Sequence, residues 1–263
     1  MKQSLSFDGM AELYDDFRVV EEKSMDAALD YIVQRYPPER YSHVFEPGIG
    51  NGRIAFPLVS KGYQVSGMDI SGEMLAQLET RIINKGLAGR ISFQKGDVAK
   101  LPYPDKSFDL AIAVHLFWFV AEWKKAIDEL VRVLKPGGPI ILMNTGGGKE
   151  IPAVNDRYKE ICSALGNPVQ SVGVKDTQEV LDYLISLGMR IETIEGRWKW
   201  DAKVSIAEAV EYIRKRQLSF TRSIPEEIHQ KVCIDLKREF VKDPGDTTVV
   251  HNGISLYVAS RYQ

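Results

Sequence analysis

The sequence predicts an α/β fold, a largely parallel seven-stranded sheet with helices on both faces. Three observations carry it. Short β-like runs alternate with helical patterns over the first 146 residues. Several of those runs are apolar at consecutive positions, as strands covered on both faces are. Two more apolar strands then close a second half that is richer in helix signals.

In order, the strand candidates are HVFEPG (43–48), YQVSGMDI (63–70), ISFQKGDV (91–98), FDLAIAVH (108–115) and PIILMNTG (139–146). Between them, 53–62, 72–86 and 122–134 place apolar residues at helical spacing. Leu134-Lys-Pro-Gly-Gly138 ends the last of these with a basic residue, a helix-stopping proline and permissive glycines. Asp176-Thr-Gln-Glu179 resembles a capping box whose helix stops at Gly188, and MRIETIEGRWKW (189–200) reads as a strand. Ser205-Ile-Ala-Glu208 and Ser223-Ile-Pro-Glu226 open two further helices in the same manner, and ISLYVASRYQ (254–263) is the closing strand. The expected organisation is one domain over 1–263: an N-terminal helical cap at 1–36, a ligand-binding core at 41–146, and insertions at 147–180 and 201–250 that shape a second pocket as a partial lid.

Composition narrows the function. At 44% hydrophobic and 27% charged, the 263 residues can bury a sizeable core. A net charge of −2 gives no global basic field, so nucleic acid is not an expected partner and neither is anionic lipid. Cys162 and Cys233 stand far apart with no Cys/His cluster, which predicts no disulfide framework, no metal and a cytoplasmic setting. No export signal is visible, and the longest apolar run, LAIAVHLFWFVA (110–121), is too short to span a bilayer; it reads as a buried strand and the turn after it.

EPGIGNG (46–52) ends the first strand and places Gly48, Gly50 and Gly52 at alternate positions. At the carboxyl end of a parallel sheet, such glycines let backbone N–H groups approach a ligand. The third glycine comes one position early for a dinucleotide fingerprint and Arg53 follows it, which disfavours NAD. The loop has no Gly-Lys-Ser/Thr triplet, which excludes a P-loop at this position. Glu46 is awkward for a phosphate and suited to a cation. Asp69, ending the second strand, lies where an acid binds two ribose hydroxyls, and Asp97 could accept from an adenine amine. Strand-end punctuation and a plain turn are the alternatives for these two acids.

Together, EPGIGNG, MDISGEML (68–75), GDVAKLPYPDKSFD (96–109) and ELVRVLKPGG (129–138) resemble, in that order, the class I S-adenosylmethionine-dependent methyltransferases, most closely the type 11 group. FDGMAELYDDFR (7–18) resembles that group's N-terminal helix. The resemblance implies a Rossmann-like sheet with one late antiparallel strand and S-adenosyl-L-methionine as cofactor, leaving S-adenosyl-L-homocysteine. It implies that Glu46 holds the methionine ammonium, directly or through water, while the backbone of Gly48 and Gly50 lies against the carboxylate side. Asp69 would bind the ribose diol, Ile70 and Met74 would pack on adenine, Asp97 would receive its amine, and Val98 would offer a backbone N–H. Tyr14 would close over the cofactor, Arg18 matches the family's arginine, and His115 would sit beside the sulfonium.

His115 is also the catalytic candidate, because an imidazole with an unperturbed pKa near 6.5 suits proton removal from an acceptor; a structural role at the strand end is the alternative. Phe117, Trp118, Tyr158, Trp198, Trp200 and Phe220 could line an apolar acceptor pocket or belong to the core. IRKRQLSFTR (213–222) is locally basic and reads as a solvated helix face. The leading expectation is methyl transfer to O, N or C of a small-molecule acceptor by a monomer or homodimer. A methyltransferase of tRNA or protein, and a non-catalytic cofactor-binding module, are the other readings.

Overall fold

The computed structural model describes residues 3–11, 20–148 and 150–261. Strands β1 (His43–Pro47), β2 (Gln64–Asp69), β3 (Ile91–Lys95), β4 (Leu110–Val114) and β5 (Ile140–Thr145) pair in parallel. Near the end of the chain, β6 (Arg190–Ser205) and β7 (Thr247–Ser260) form a long antiparallel pair. β7 joins β5 antiparallel, with Ile140 opposite Ala259, and the sheet order is β3-β2-β1-β4-β5-β7-β6. The seven strands and the single late reversal match the sequence reading. Strand order reverses between β1 and β4, which opens a crevice beyond their carboxyl ends.

The period of two along the strands divides the core. Val44, Val65, Leu110, Ile112 and Met143 face one side, where helices α1 (Glu22–Arg35), α2 (Ala55–Ser60) and α3 (Gly72–Lys85) cover them with Leu29, Leu58 and Leu78. Phe45, Met68, Ala111, Ala113 and Leu142 face the other, under Leu130 of α4 (Trp123–Val133) and Leu184 of α6 (Thr177–Ser186). Burying a leucine of this kind contributes about 1.5–3 kcal/mol, so these two apolar layers fix which way every strand end points.

A third cluster gathers α5 (Pro152–Ala164), α7 (Ile206–Arg214) and α8 (Glu226–Phe240) around Tyr158, Ile213, Val232 and Leu236. Inside it, the Tyr158 hydroxyl lies 2.7 Å from His229 Nδ1, and His229 Nε2 lies 3.1 Å from the Arg214 carbonyl oxygen. The carbonyl can only accept, so Nε2 carries a proton, and in the neutral ring Nδ1 accepts from the tyrosine.

Some boundaries differ from the sequence reading. β6 runs on past Trp200 to Ser205, because Ala202 and Val204 continue the alternation and bury against the helical cluster. Gly196, at φ +70, sits in the register shift between Ile194 and Trp198 that bends this strand. Asp176 and Ser205 do cap α6 and α7. Ser223 does not cap α8, which begins at Glu226 behind Pro225 with no side-chain cap. Within 1–36, α1 packs on the sheet through Ala28, Leu29 and Ile32 rather than over the crevice. Residues 3–11, irregular at 3–7 and turning at 8–10, take the covering position, and most of the helix expected over 7–18 lies outside the described residues.

Candidate active site

The glycine loop leaves β1 with Gly48, Gly50 and Gly52 at φ +72, +54 and +88, a conformation that costs a residue with a Cβ about 1–2 kcal/mol. Two of its amides, Gly48 N and Ile49 N, donate to the Met68 carbonyl at 2.7 and 3.1 Å and bind the loop to β2. A Cβ on Gly67 would stand 2.4 Å from Ile49 Cδ1, so the strand beneath must also be glycine for the loop to lie this close. Asp69 then locks the arrangement: one oxygen accepts from Gly50 N at 2.9 Å and the other from Ser71 N at 2.8 Å. Burial pushes the Asp69 carboxyl up, and these backbone hydrogen bonds pull against that rise.

Around the loop lies a cavity enclosing about 630 Å³ of open space, mouth included, walled by Gly48, Gly50, Asp69, Met74, Asp97 and His115 among others. Ile70 and Val98 complete its apolar side. Asp97 holds its turn by accepting from Ala99 N at 2.9 Å. The fold thus brings together eight of the positions singled out in the sequence: Gly48, Gly50, Asp69, Ile70, Met74, Asp97, Val98 and His115. Tyr14 and Arg18 fall outside the described residues.

Glu46 departs from the expected wall position. It is 3% exposed, beneath the loop, with Oε2 buried and unpartnered. Burial drives its carboxyl well above the usual range; Arg53 nearby draws it down and Asp69 pushes it further up. An orphaned buried carboxylate oxygen is what a cationic group would satisfy.

His115 stands at φ +49 just past β4, with Nε2 accepting from the Thr145 backbone N–H at 3.0 Å and the Thr145 hydroxyl 2.8 Å away. An N–H donor aimed at Nε2 places the neutral ring's proton on Nδ1.

Sequence reasoning missed the strap over the mouth. Ser4, Leu5 and Phe7 line the cavity, with Phe7 edge-on to Phe119 at 5.1 Å. Asp8 ties the strap to α3, accepting from the Ser71 hydroxyl at 2.6 Å and from Glu73 N at 3.1 Å, and these bonds hold its carboxyl below the usual range. Arg222 crosses from the helical cluster, donating to the Ser6 carbonyl at 2.9 Å. The reciprocal polar residues, Asp8 with Ser71 and Glu73, were visible in the sequence, but their separation by more than sixty positions hid the contact.

Past His115, Leu5 and Phe119 the cavity adjoins a second, more open cleft of about 1510 Å³, open solvent included, between α5, residues 168–175 and Phe220. Of the six aromatics considered for a pocket, Trp118 and Phe220 line this cleft. Phe117, Tyr158 and Trp198 are buried in the three core clusters, and Trp200 packs on one of them. The basic run 213–222 is mostly consumed internally: Arg214 and Lys215 pair with Glu211, and Arg216 with Glu226. No helix among the described residues is long and apolar enough to cross a membrane, and none of their His, Cys, Asp and Glu side chains group as a metal site would require.

Residues 45–142 match the family model described as a methyltransferase domain. A phosphatidylethanolamine N-methyltransferase of Cereibacter sphaeroides is 33% identical over 105 residues, 40% of this chain and 51% of the relative. A ubiquinone/menaquinone biosynthesis C-methyltransferase UbiE of Rickettsia massiliae is 31% identical over 163 residues, 58% of this chain and 64% of the relative. The chain thus spans roughly half to two thirds of these two curated relatives. Among solved structures, YcgJ of Bacillus subtilis superposes with a TM-score of 0.61 at 17% identity, over 90% of this chain and 99% of that one. Phosphoethanolamine N-methyltransferase 2 of Haemonchus contortus, in complex with S-adenosyl-L-methionine, gives 0.57 at 18% identity, over 97% of this chain and 56% of that one. Residues 45–142 thus match a methyltransferase domain, and the chain shares the fold of these solved structures.

Proposed function

We propose that the protein transfers a methyl group from S-adenosyl-L-methionine to a small-molecule acceptor. The observation that carries this reading is the joining, at His115, of a cavity walled by the glycine loop, Asp69 and Asp97 to a second cleft built by the insertions.

The orphaned Glu46 oxygen fits the amino end of the methionine moiety, and Gly48 and Gly50, without a Cβ, let the loop backbone lie against its carboxylate end. Asp69 would accept from the ribose hydroxyls, Asp97 from the adenine amine, with Val98 N–H on the ring and Ile70 and Met74 against its faces. Tyr14 and Arg18 stay proposed contacts on the resemblance alone. When bound, the cofactor supplies a methyl group made electrophilic by the sulfonium, so what is asked of the protein is alignment and exclusion of water.

His115 sits where the two spaces meet, and its Nε2 is committed to Thr145. We therefore infer an orienting role for it ahead of general-base work. The strap supplies cover through Leu5 and Phe7. Internal pairing of the 213–222 cations supports a small acceptor over RNA, and two free buried thiols fit a reducing cytosol.

Isothermal titration with S-adenosylmethionine and S-adenosylhomocysteine, with NAD in parallel, tests the reading. Micromolar binding of both sulfur nucleosides and silence from NAD is the expected result. No binding by either in a folded sample would sink it.

A further inference from the structure

The second cleft has a composition that points to a ligand class. Its near wall is fixed by a backbone zip: Gly173 N donates to the Trp118 carbonyl at 3.0 Å and Val174 N to that of Phe117 at 3.1 Å. A Cβ on Gly173 would stand 1.9 Å from the Phe117 carbonyl oxygen, so only glycine lets the two segments meet. The zip holds Lys175, one residue further on, at the rim of the cleft that Trp118 also lines.

Two cations, Lys159 and Lys175, and one acid, Glu150, line the cleft. Glu150 already accepts from Asn155 Nδ2 at 2.8 Å. Lys159 lies 3.0 Å from the exposed Asp156 carboxylate and 5.3 Å from the centre of the Phe220 ring. Lys175 makes no ion pair among the described residues. The acids nearest it in sequence are committed to α6: Asp176 accepts from Glu179 N at 3.0 Å, and Glu179 accepts the Lys175 backbone N–H at 3.2 Å. Trp118, Phe119 and Phe220 with Leu5, Val169 and Val172 give the lining its flat and apolar part, and the uncharged polar Ser163, Gln170 and Ser219 also line it.

We propose that this cleft is the acceptor site and that it selects a planar, largely apolar molecule bearing one anionic group. The flat body packs on Trp118 and Phe220, while the anion is drawn to Lys175 and Lys159. Naming the ligand an acceptor rests on the proposed methyl transfer; its chemical class rests on the cleft itself.

Anilinonaphthalene sulfonate, a planar aromatic anion, and the uncharged N-phenylnaphthylamine make a matched pair of fluorescent probes for the full chain saturated with S-adenosylhomocysteine. Saturable binding of the anion is expected, with at least a tenfold loss in Lys159→Glu/Lys175→Glu and less than a twofold change for the neutral probe. Both lysines are exposed, so charge reversal leaves the core untouched. Phenyl phosphate and benzoate, as competitors, distinguish a phosphate from a carboxylate acceptor, and displacement by either supports the proposal. It is overturned if the anion fails to saturate, if charge reversal leaves its affinity unchanged or weakens both probes equally, or if neither competitor displaces it. Calorimetric titration of S-adenosylhomocysteine on the same samples reads the other cavity. Its failure in the wild type would remove the methyl-transfer reading and leave the probe result standing.

Discussion

Asp69 and Gly50 are joined by a 2.9 Å hydrogen bond from the loop amide to the carboxylate, whose other oxygen holds Ser71 N at the start of α3. One side chain therefore shapes the loop and faces the cavity. Asp69→Ala leaves two amides without their acceptor, at about 1–3 kcal/mol each where buried. Affinity for S-adenosylhomocysteine should fall about a hundredfold by titration, with melting lowered by several degrees and far-UV circular dichroism nearly unchanged. Unaltered affinity would remove Asp69 from the site.

Gly50 has a second constraint. At φ +54 its added Cβ would lie 3.1 Å from Met74 Cε, so Gly50→Val meets both backbone strain and a wall residue. Binding should be abolished, and Gly50→Ala should bind weakly. A valine variant with wild-type affinity would make the loop a turn and nothing more.

Glu46 sets stability against binding. Its folded pKa lies above the unfolded value, so ionising it opposes folding: stability is greatest below the ordinary carboxylate range and is lost as pH rises toward the folded value. Glu46→Gln removes that penalty. Melting should rise by about 2–4 °C for each kcal/mol recovered, more at about pH 8 than at about pH 5, while cofactor affinity drops. A variant that melts lower at both pH values would show that the carboxylate is satisfied in solution.

Much of this was legible in the sequence because it is local or periodic. Consecutive apolar positions gave the strands, and Gly48, Gly50, Asp69 and Asp97 each sit at a strand end, where chain order alone puts them on one rim. What was hidden depends on contacts between distant segments. Glu46 stands two positions before a loop glycine in sequence, yet its burial, and the Arg53 and Asp69 charges it feels there, arise only in the folded chain. Nothing local in SLSFDGM marks a strap, because the segment is held by Ser71, Glu73 and Arg222. Ser223 looked like a cap and lost the position to Pro225, whose fixed φ starts the helix two residues late.

Arg222 gives that strap a test of its own. Its guanidinium donates to the Ser6 carbonyl at 2.9 Å, lies 5.7 Å from the Phe7 ring, and is itself half-buried. Arg222→Ala should free the segment over the cavity and speed S-adenosylhomocysteine release several-fold in stopped-flow, with a smaller change in association. Unchanged release would mean that the bonds of Ser4, Leu5, Asp8 and Gly9 hold the strap without Arg222.

The orienting role of His115 can be separated from general-base work without knowing the acceptor. If Thr145 N–H donates to Nε2, the neutral ring carries its proton on Nδ1, and nitrogen-15 spectra should show a proton-bearing Nδ1 and a lone-pair Nε2. Asparagine tolerates the left-handed backbone at φ +49, whereas valine does not, so His115→Asn should fold normally and His115→Val should lose about 1–2 kcal/mol. Once an acceptor is in hand, His115→Asn should retain most of kcat and keep the same inflection in its pH–rate profile. Loss of a limb near the histidine pKa, together with a drop of about a hundredfold or more, would reinstate the ring as the base. The Nε2 lone pair would then have to leave Thr145 in the reacting complex, and the spectrum of the ligand-bound protein would show that exchange directly.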